Sequence, residues 1–185
     1  MNLEKYQQYS RIARGLEKAD LVLKDARIVN VFTEEIIRGD IAIQDGIIAG
    51  IGSFHGKEER DLAGRYVCPG FIDSHLHLES TLVTPAELVT VASRHGTTTF
   101  IVDPHESANV SGLVGIDYIL DQTEDVKANV YVMMPSCVPA TAIDDNGCTL
   151  TAEDMAPYLH NSRILGLGEV MDSISVVQGE KSMHD

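Results

Sequence analysis

An α/β fold is the class that the sequence predicts: a parallel sheet of strands alternating with helices, preceded by a small β segment and a short amphipathic helix. Three observations predict it. From residue 68 onward, apolar β-branched runs alternate with stretches of helical spacing, as a sheet with right-handed crossovers requires. Between residues 21 and 52 the apolar runs are short and are interrupted by Asp45-Gly46, a strong hairpin signal. Beyond residue 68, ligand-type side chains recur just past the strand ends, where parallel sheets collect their chemistry.

Composition narrows the function classes. The chain has 185 residues, 44% hydrophobic and 23% charged, and no apolar run long enough to cross a bilayer. Length allows one or two globular domains. A net charge of -14 argues against a nucleic-acid partner, which needs a basic face. The N-terminal stretch lacks the apolar core of a signal peptide, so a cytoplasmic location without membrane attachment is expected. Cys68, Cys137 and Cys148 are odd in number and irregularly spaced, which fits reduced thiols better than a disulfide frame or a zinc knuckle.

Taken in order, residues 2–18 carry Tyr6, Tyr9, Ile12, Ala13 and Leu16 at helical spacing and predict an amphipathic helix, the first of three segments. The second, residues 19–67, reads as a small β unit. Its hairpin turn uses aspartate and glycine because both tolerate the positive φ of a tight loop. Residues 53–66 are polar, and His55 there reads as a solvated loop histidine. The third segment, residues 68–185, begins with a buried strand in CPGFIDSHLHLES. Thr84-Pro85-Ala86-Glu87 predicts a capping box that opens a helix through His95. A strand at 97–103 runs into Pro104-His105-Glu106, a helix follows at 113–120, and a third strand spans 129–134. Thr151 and Asp154 are placed to cap a helix through His160, and a fourth strand spans 164–170.

In the first of these strands Phe71, Asp73, His75 and His77 share one parity, so all four side chains leave one face. Neighbouring same-face positions lie about 7 Å apart, close enough for two imidazoles to tilt onto one divalent ion. An ordinary pair of surface or hydrogen-bonded histidines is the alternative. At the later strand ends stand Asp103, His105 and Glu106, then Ser136 and Cys137, then Glu169. No GxGxxG follows the first strand and no phosphate-loop motif occurs, so a nucleotide-cofactor fold has little support. The cytidine-deaminase spacing, H-x-E followed by P-C-x-x-C, is absent too.

The ordered set PGFIDSHLHLES at 69–80, HGTTTFIVDPHESANVSGLVGI at 95–116, VYVMMPSCVPAT at 130–141 and LGLGEVM at 165–171 resembles the amidohydrolase superfamily, within it the adenine deaminases of the adenase type. The resemblance implies the N-terminal half of a (β/α)8 TIM-like barrel preceded by a small β-sandwich-type segment. It implies two divalent metal ions (Mn, Fe or Zn), with His75, His77 and Glu169 as ligands, and metal-activated hydroxide attacking adenine to give hypoxanthine and ammonia. Glu79 and Glu106 are then candidate catalytic residues, as proton-transfer or purine-contacting groups, with helix capping or pairing with an arginine as the alternative. Asp103, His105 and Ser136 are candidate substrate-binding residues, and Asp103, His105 and Asp73 could instead orient the ligands. Two further histidines and an aspartate of the family pattern lie beyond these motifs, and a whole barrel takes about 250 residues. The 185-residue chain is therefore expected to be incomplete and inactive alone, with adenine as small-molecule partner of the full enzyme and homo-oligomer formation expected. Another binuclear amidohydrolase acting on a cyclic amide or amidine, or a non-catalytic partner subunit, is the competing reading.

Overall fold

The computed structural model describes residues 2–184. The chain forms two compact units, Met1–Pro69 and Gly70–Asp185. Among the described residues no helix is long and apolar enough to cross a membrane.

In the first unit, helix α1 (Leu3–Ala13) starts where Asn2 accepts the Lys5 N–H at 2.9 Å. It is shorter than the span 2–18 because Gly15 adopts a left-handed conformation (φ 71°) that ends it. Ile12 is its buried residue, packed with Ala19, Val22, Ala42 and Phe54, whereas Tyr6 and Leu16 stay exposed. Strands β1 (Ala19–Asn30), β2 (Glu35–Gln44), β3 (Ile47–Gly52), β4 (Gly56–Asp61) and β5 (Tyr66–Val67) follow. The sheet runs β3-β2-β1-β4, with β5 also on β1; β1–β2 and β2–β3 are antiparallel. Both loop residues between β2 and β3, Asp45 and Gly46, have positive φ (50° and 76°), as a two-residue hairpin between twisted strands requires. His55 is exposed, its Nδ1 3.3 Å from Glu59 Oε1.

In the second unit β6 (Phe71–Leu76), β7 (Thr97–Val102), β8 (Asn129–Met134) and β9 (Ile164–Leu167) form one parallel sheet in sequential order. Helices α2 (Pro85–Ser93), α3 (His105–Ser111), α4 (Leu113–Gln122), α5 (Ala152–Met155) and α6 (Ser173–Gln178) lie between and after the strands. Phe100, Val102, Val130, Val132, Met134 and Ile164 point to the face that packs on Val89, Ile116, Ile119 and Leu120. That apolar layer is what sets the strands side by side with their carboxyl ends together.

Several elements depart from the pattern reading. Strand β6 is not buried: Phe71 and Ile72 are 63% and 64% exposed, because β6 is the sheet edge. Its strand ends at Leu76, and a register shift between Asp73 and Leu76 breaks simple alternation before His77. Thr84 sits at the cap of α2 but makes no side-chain bond there, so the opening proline alone starts the helix, which ends at Ser93. Residues 105–111, which lack apolar periodicity, form α3. Thr151 and Asp154 do form a reciprocal capping box, but α5 tightens into a 3-10 turn over Ala156–His160 as Pro157 removes a backbone donor.

Candidate metal centre

The ends of β6, β7 and β9 carry one group of imidazoles and carboxylates. His77 leads, because its position is fixed from both sides of the ring. Its Nδ1 lies 2.8 Å from the Asp103 carbonyl oxygen. A carbonyl only accepts, so Nδ1 carries the proton and Nε2 of the neutral ring presents a lone pair. Burial opposes charge on this ring, but the Asp103 carbonyl and the carboxylates of Glu106, Asp103 and Glu169 outweigh it and hold His77 above the usual histidine range.

His77 Nε2 faces His75 Nε2 at 3.1 Å. The Glu169 carboxylate closes the group, with Oε2 3.6 Å from His75 Nε2 and Oε1 3.7 Å from His77 Nε2. These separations suit a shared cation. With bonds of about 2.0–2.1 Å, tetrahedral ligands stand roughly 3.3–3.4 Å apart, a value the observed spacings bracket. The two N···O separations, 3.6 and 3.7 Å, are too long for hydrogen bonds, whereas the 3.1 Å between the two imidazoles fits either reading.

Glu169 also meets the second strand end. Its Oε1 lies 3.5 Å from His105 Nδ1, which is 3.6 Å from Asp103 Oδ1. Asp103 is 1% exposed; its Oδ2 accepts the Glu169 N–H at 2.9 Å. Glu106 Oε2 stands 3.8 Å from His77 Nδ1, and Glu106 Oε1 accepts the Ser80 hydroxyl at 2.7 Å. Three donor groups of metal-binding spacing result: His75, His77 and Glu169; His77, His105 and Glu106; Asp103, His105 and Glu169.

A cation fits this set on two grounds. Among the described residues, Asp103 Oδ1, His105 Nδ1 and Glu106 Oε2 are buried without a hydrogen-bond partner, and all three belong to these groups. Such orphaned atoms are costly unless something satisfies them. The donors are imidazole nitrogen and carboxylate oxygen, a mixture suited to Mn, Fe or Zn.

The remaining candidates lie around the cluster with local tasks. Glu79 Oε1 accepts the Ser107 N–H at 3.0 Å and so caps the first turn of α3 from another segment. Burial, together with the neighbouring Glu106, pushes the Glu79 carboxyl above its usual range against the pull of that N–H. A groove of about 580 Å³ runs beside Glu79, Ser80, Glu106, Ser107 and Tyr118. Ser136 Oγ donates to the Glu169 carbonyl at 2.6 Å. Asp73 Oδ1 accepts the His75 N–H at 3.4 Å, a local turn contact. His184 stands apart from the centre, its Nε2 3.2 Å from the Val176 carbonyl. Pattern reading missed that the Asp103 main chain holds His77, a contact between strands that leaves no local signal. Gly168, directly before Glu169, is a sequence hint of a different close approach, that of the Asp103 carboxylate to the Glu169 main chain.

A parallel sheet with imidazoles and carboxylates gathered at its strand ends defines a class of α/β protein built to hold metal. Within that class the chain belongs to the amidohydrolase family, whose model matches residues 66–175. An adenine deaminase of Desulfitobacterium hafniense (strain Y51) is 57% identical over 183 residues, covering 99% of this chain and 32% of that protein. Another from Geobacillus kaustophilus (strain HTA426) is 50% identical over 168 residues, 91% of this chain and 29% of that one. The chain thus spans about a third of the length of these curated relatives. Among solved structures, an N-acyl-D-glutamate deacylase from Bordetella bronchiseptica, complexed with zinc and a phosphonate inhibitor, matches with a TM-score of 0.50 at 22% identity. The match covers 76% of this chain and 34% of that one and shows likeness of fold.

Proposed function

We propose that residues 68–185 are the first half of a (β/α)8 barrel, that residues 19–67 contribute to a small β domain preceded by the helical segment 1–18, and that the whole protein deaminates adenine hydrolytically. The observation that carries this reading is the meeting of His75, His77 and Glu169 with donor separations of 3.1–3.7 Å. Relatives of up to 57% identity that are adenine deaminases support the choice of substrate. The proposed setting is cytoplasmic, as a homo-oligomer with no nucleic-acid or membrane partner.

His75, His77 and Glu169 would hold one divalent ion. The Glu169 carboxylate also addresses His105, which supports a second ion on that side. Bound there, the metal supplies a Lewis acid that makes water nucleophilic near neutral pH. The protein residues do the rest. His77, locked by the Asp103 carbonyl, keeps Nε2 directed at the centre, and Glu169 neutralises charge beside it. Water adds to carbon 6 of adenine; one of its protons goes to ring nitrogen N1 and the other to the exocyclic amine, and the bond from carbon 6 to that amine breaks as the carbonyl forms and ammonia leaves. Glu106 is the proposed carrier for those protons: Ser80 fixes one of its oxygens, and the other lies unpartnered beside His77. Glu79, with one buried unpartnered oxygen next to Glu106, is its proposed relay partner. Asp103, His105 and Ser136 frame the substrate side of the centre.

The test is turnover by the complete polypeptide reconstituted separately with Mn, Fe and Zn. Adenine, cyclic amides and N-acyl amino acids are assayed side by side, with hypoxanthine followed by chromatography and ammonia by a coupled assay. Stoichiometric hypoxanthine and ammonia from adenine are expected; hydrolysis of another substrate with no ammonia from adenine overturns the proposal.

A further inference from the structure

One residue touches the ligands of two other strand ends. Asp103 follows the last residue of β7, is 1% exposed, and is tied to the end of β6 by its own N–H, which donates to the Leu76 carbonyl at 3.0 Å. Its carbonyl accepts from His77 Nδ1 at 2.8 Å. Its carboxylate, through Oδ2, accepts the Glu169 N–H at 2.9 Å. Glu169 needs such a grip. It lies two residues past the end of β9, outside any regular element, and its side chain is 41% exposed.

Two neighbours complete the grip. The Ser136 hydroxyl holds the Glu169 carbonyl at 2.6 Å, so the main chain at 169 is gripped on both polar groups. Gly168 makes the carboxylate's approach possible: a Cβ on that residue would lie 2.2 Å from Asp103 Oδ2 and 2.8 Å from its Cγ. Any side chain there drives the carboxylate off the Glu169 N–H. The glycine is thus required by contact, since backbone and buried carboxylate share the space.

We propose that Asp103 is the positioning residue of the centre, its carbonyl setting the His77 ring and its carboxylate setting the Glu169 main chain, so that ligands from different strands meet without adjustment. The proposal rests on the metal-binding reading above and goes beyond it, because Asp103 acts on His77 and Glu169 through its carbonyl and Oδ2, separately from the Oδ1 atom that it offers to the donor group with His105. Replacing an outer partner of a metal ligand weakens metal affinity by about 10- to 100-fold. The same scale is expected here.

The experiment uses the complete polypeptide, stripped of metal and titrated with Co(II), with the cobalt visible spectrum and the dissociation constant as readouts and adenine turnover in parallel. Asp103→Ala is expected to weaken cobalt binding about 10- to 100-fold and to alter the spectrum. Asp103→Asn keeps an oxygen acceptor for the Glu169 N–H and is expected to restore binding to within a few-fold of native. Gly168→Ala is expected to reproduce the Asp103→Ala defect. Ser136→Ala, at a half-buried site, loosens the other grip and covers the case in which the buried variants fold poorly. Unfolding of the metal-free proteins is measured for all four. A purely structural role predicts lowered stability with native cobalt affinity in the folded fraction, and that result overturns the proposal. So does Asp103→Asn as damaged as Asp103→Ala, or native binding by both Gly168→Ala and Ser136→Ala. Native cobalt binding without adenine turnover removes the proposed activity and leaves the positioning role; turnover with native cobalt affinity in Asp103→Ala does the reverse.

Discussion

Exchanging Glu169 for glutamine tests the centre most directly, because that carboxylate is shared between two of the three donor groups. The substitution keeps size and keeps the main-chain bonds to Asp103 and Ser136, while removing the charge that faces three imidazoles at 3.5–3.7 Å. The loss of an anionic ligand belongs at or above the upper end of the range for outer partners, so affinity is expected to fall by about 100-fold. Binding to the folded state stabilises it by RT ln(1 + [L]/Kd), about 2.7 kcal/mol when the metal is present at 100 times Kd. For a domain of this size each kcal/mol moves the melting temperature by roughly 4 °C, so saturating metal should raise Tm by about 10 °C. At the same metal concentration the variant sits near its own Kd, where stabilisation falls to about 0.4 kcal/mol and the shift to about 2 °C. Differential scanning calorimetry with and without metal, after chelation and dialysis, measures both. Equal shifts in the two proteins, or no shift in native protein, would refute the assignment of Glu169 as a ligand.

Three further outcomes follow from the packing and the titratable groups. In the first unit, burial disfavours the Asp40 carboxylate, but the Lys24 ammonium and the N–H groups of Asp25 and Phe54 outweigh it, so its pKa is depressed. Its contribution is therefore full above the unfolded carboxylate pKa of about 3.9 and is lost as pH falls through the lower folded value; acid titration of the native protein and Asp40→Asn should show this native loss flattened in the variant. Phe100, 1% exposed within the β7 core, should cost about 3–5 kcal/mol when changed to alanine, read as a lower urea midpoint with the slope unchanged. Tyr158, its pKa pushed up to about 12 by burial and by donation to Asp117 Oδ1 at 2.6 Å, should ionise later than an exposed tyrosine in a spectrophotometric titration. Since the folded state holds that proton more tightly, the associated stability is present below about pH 10 and lost as pH approaches 12; Asp117→Asn should bring the titration earlier.

What could be read from the sequence is what the local chain decides alone. Asp45-Gly46 marks a hairpin because positive φ at adjacent residues is a property of those residues, and both adopt it. The β-branched run 97–102 forms β7, since its pattern and its burial agree. Thr84 shows the limit of such signals: the residue types of a capping box are present, yet the threonine side chain makes no bond. Helix α3 was hidden for the opposite reason. His105-Glu106-Ser107-Ala108-Asn109 offers one buried residue, Ala108, and the Ser107 N–H in its first turn is satisfied by Glu79, 28 positions earlier.

The centre divides along the same line. His75 and His77 are two apart in sequence, so their proximity was legible, although the register shift after Asp73 means that strand parity is not what brings them together. His77 lies beyond the strand and is turned inward by the carbonyl of Asp103, the residue just past the end of the next strand. Glu169 is 92 residues further on, and what brings its carboxylate to that ring is the register of four parallel strands, finished by one buried aspartate and a glycine that leaves room for it. Ligand types can therefore be read from spacing, whereas ligand geometry is set by contacts between strands. Changes at Asp103 or Gly168 should therefore disturb metal binding more than changes at Asp73, which stands closer in sequence to both histidines but whose carboxylate accepts the His75 N–H rather than holding a ring or the Glu169 main chain.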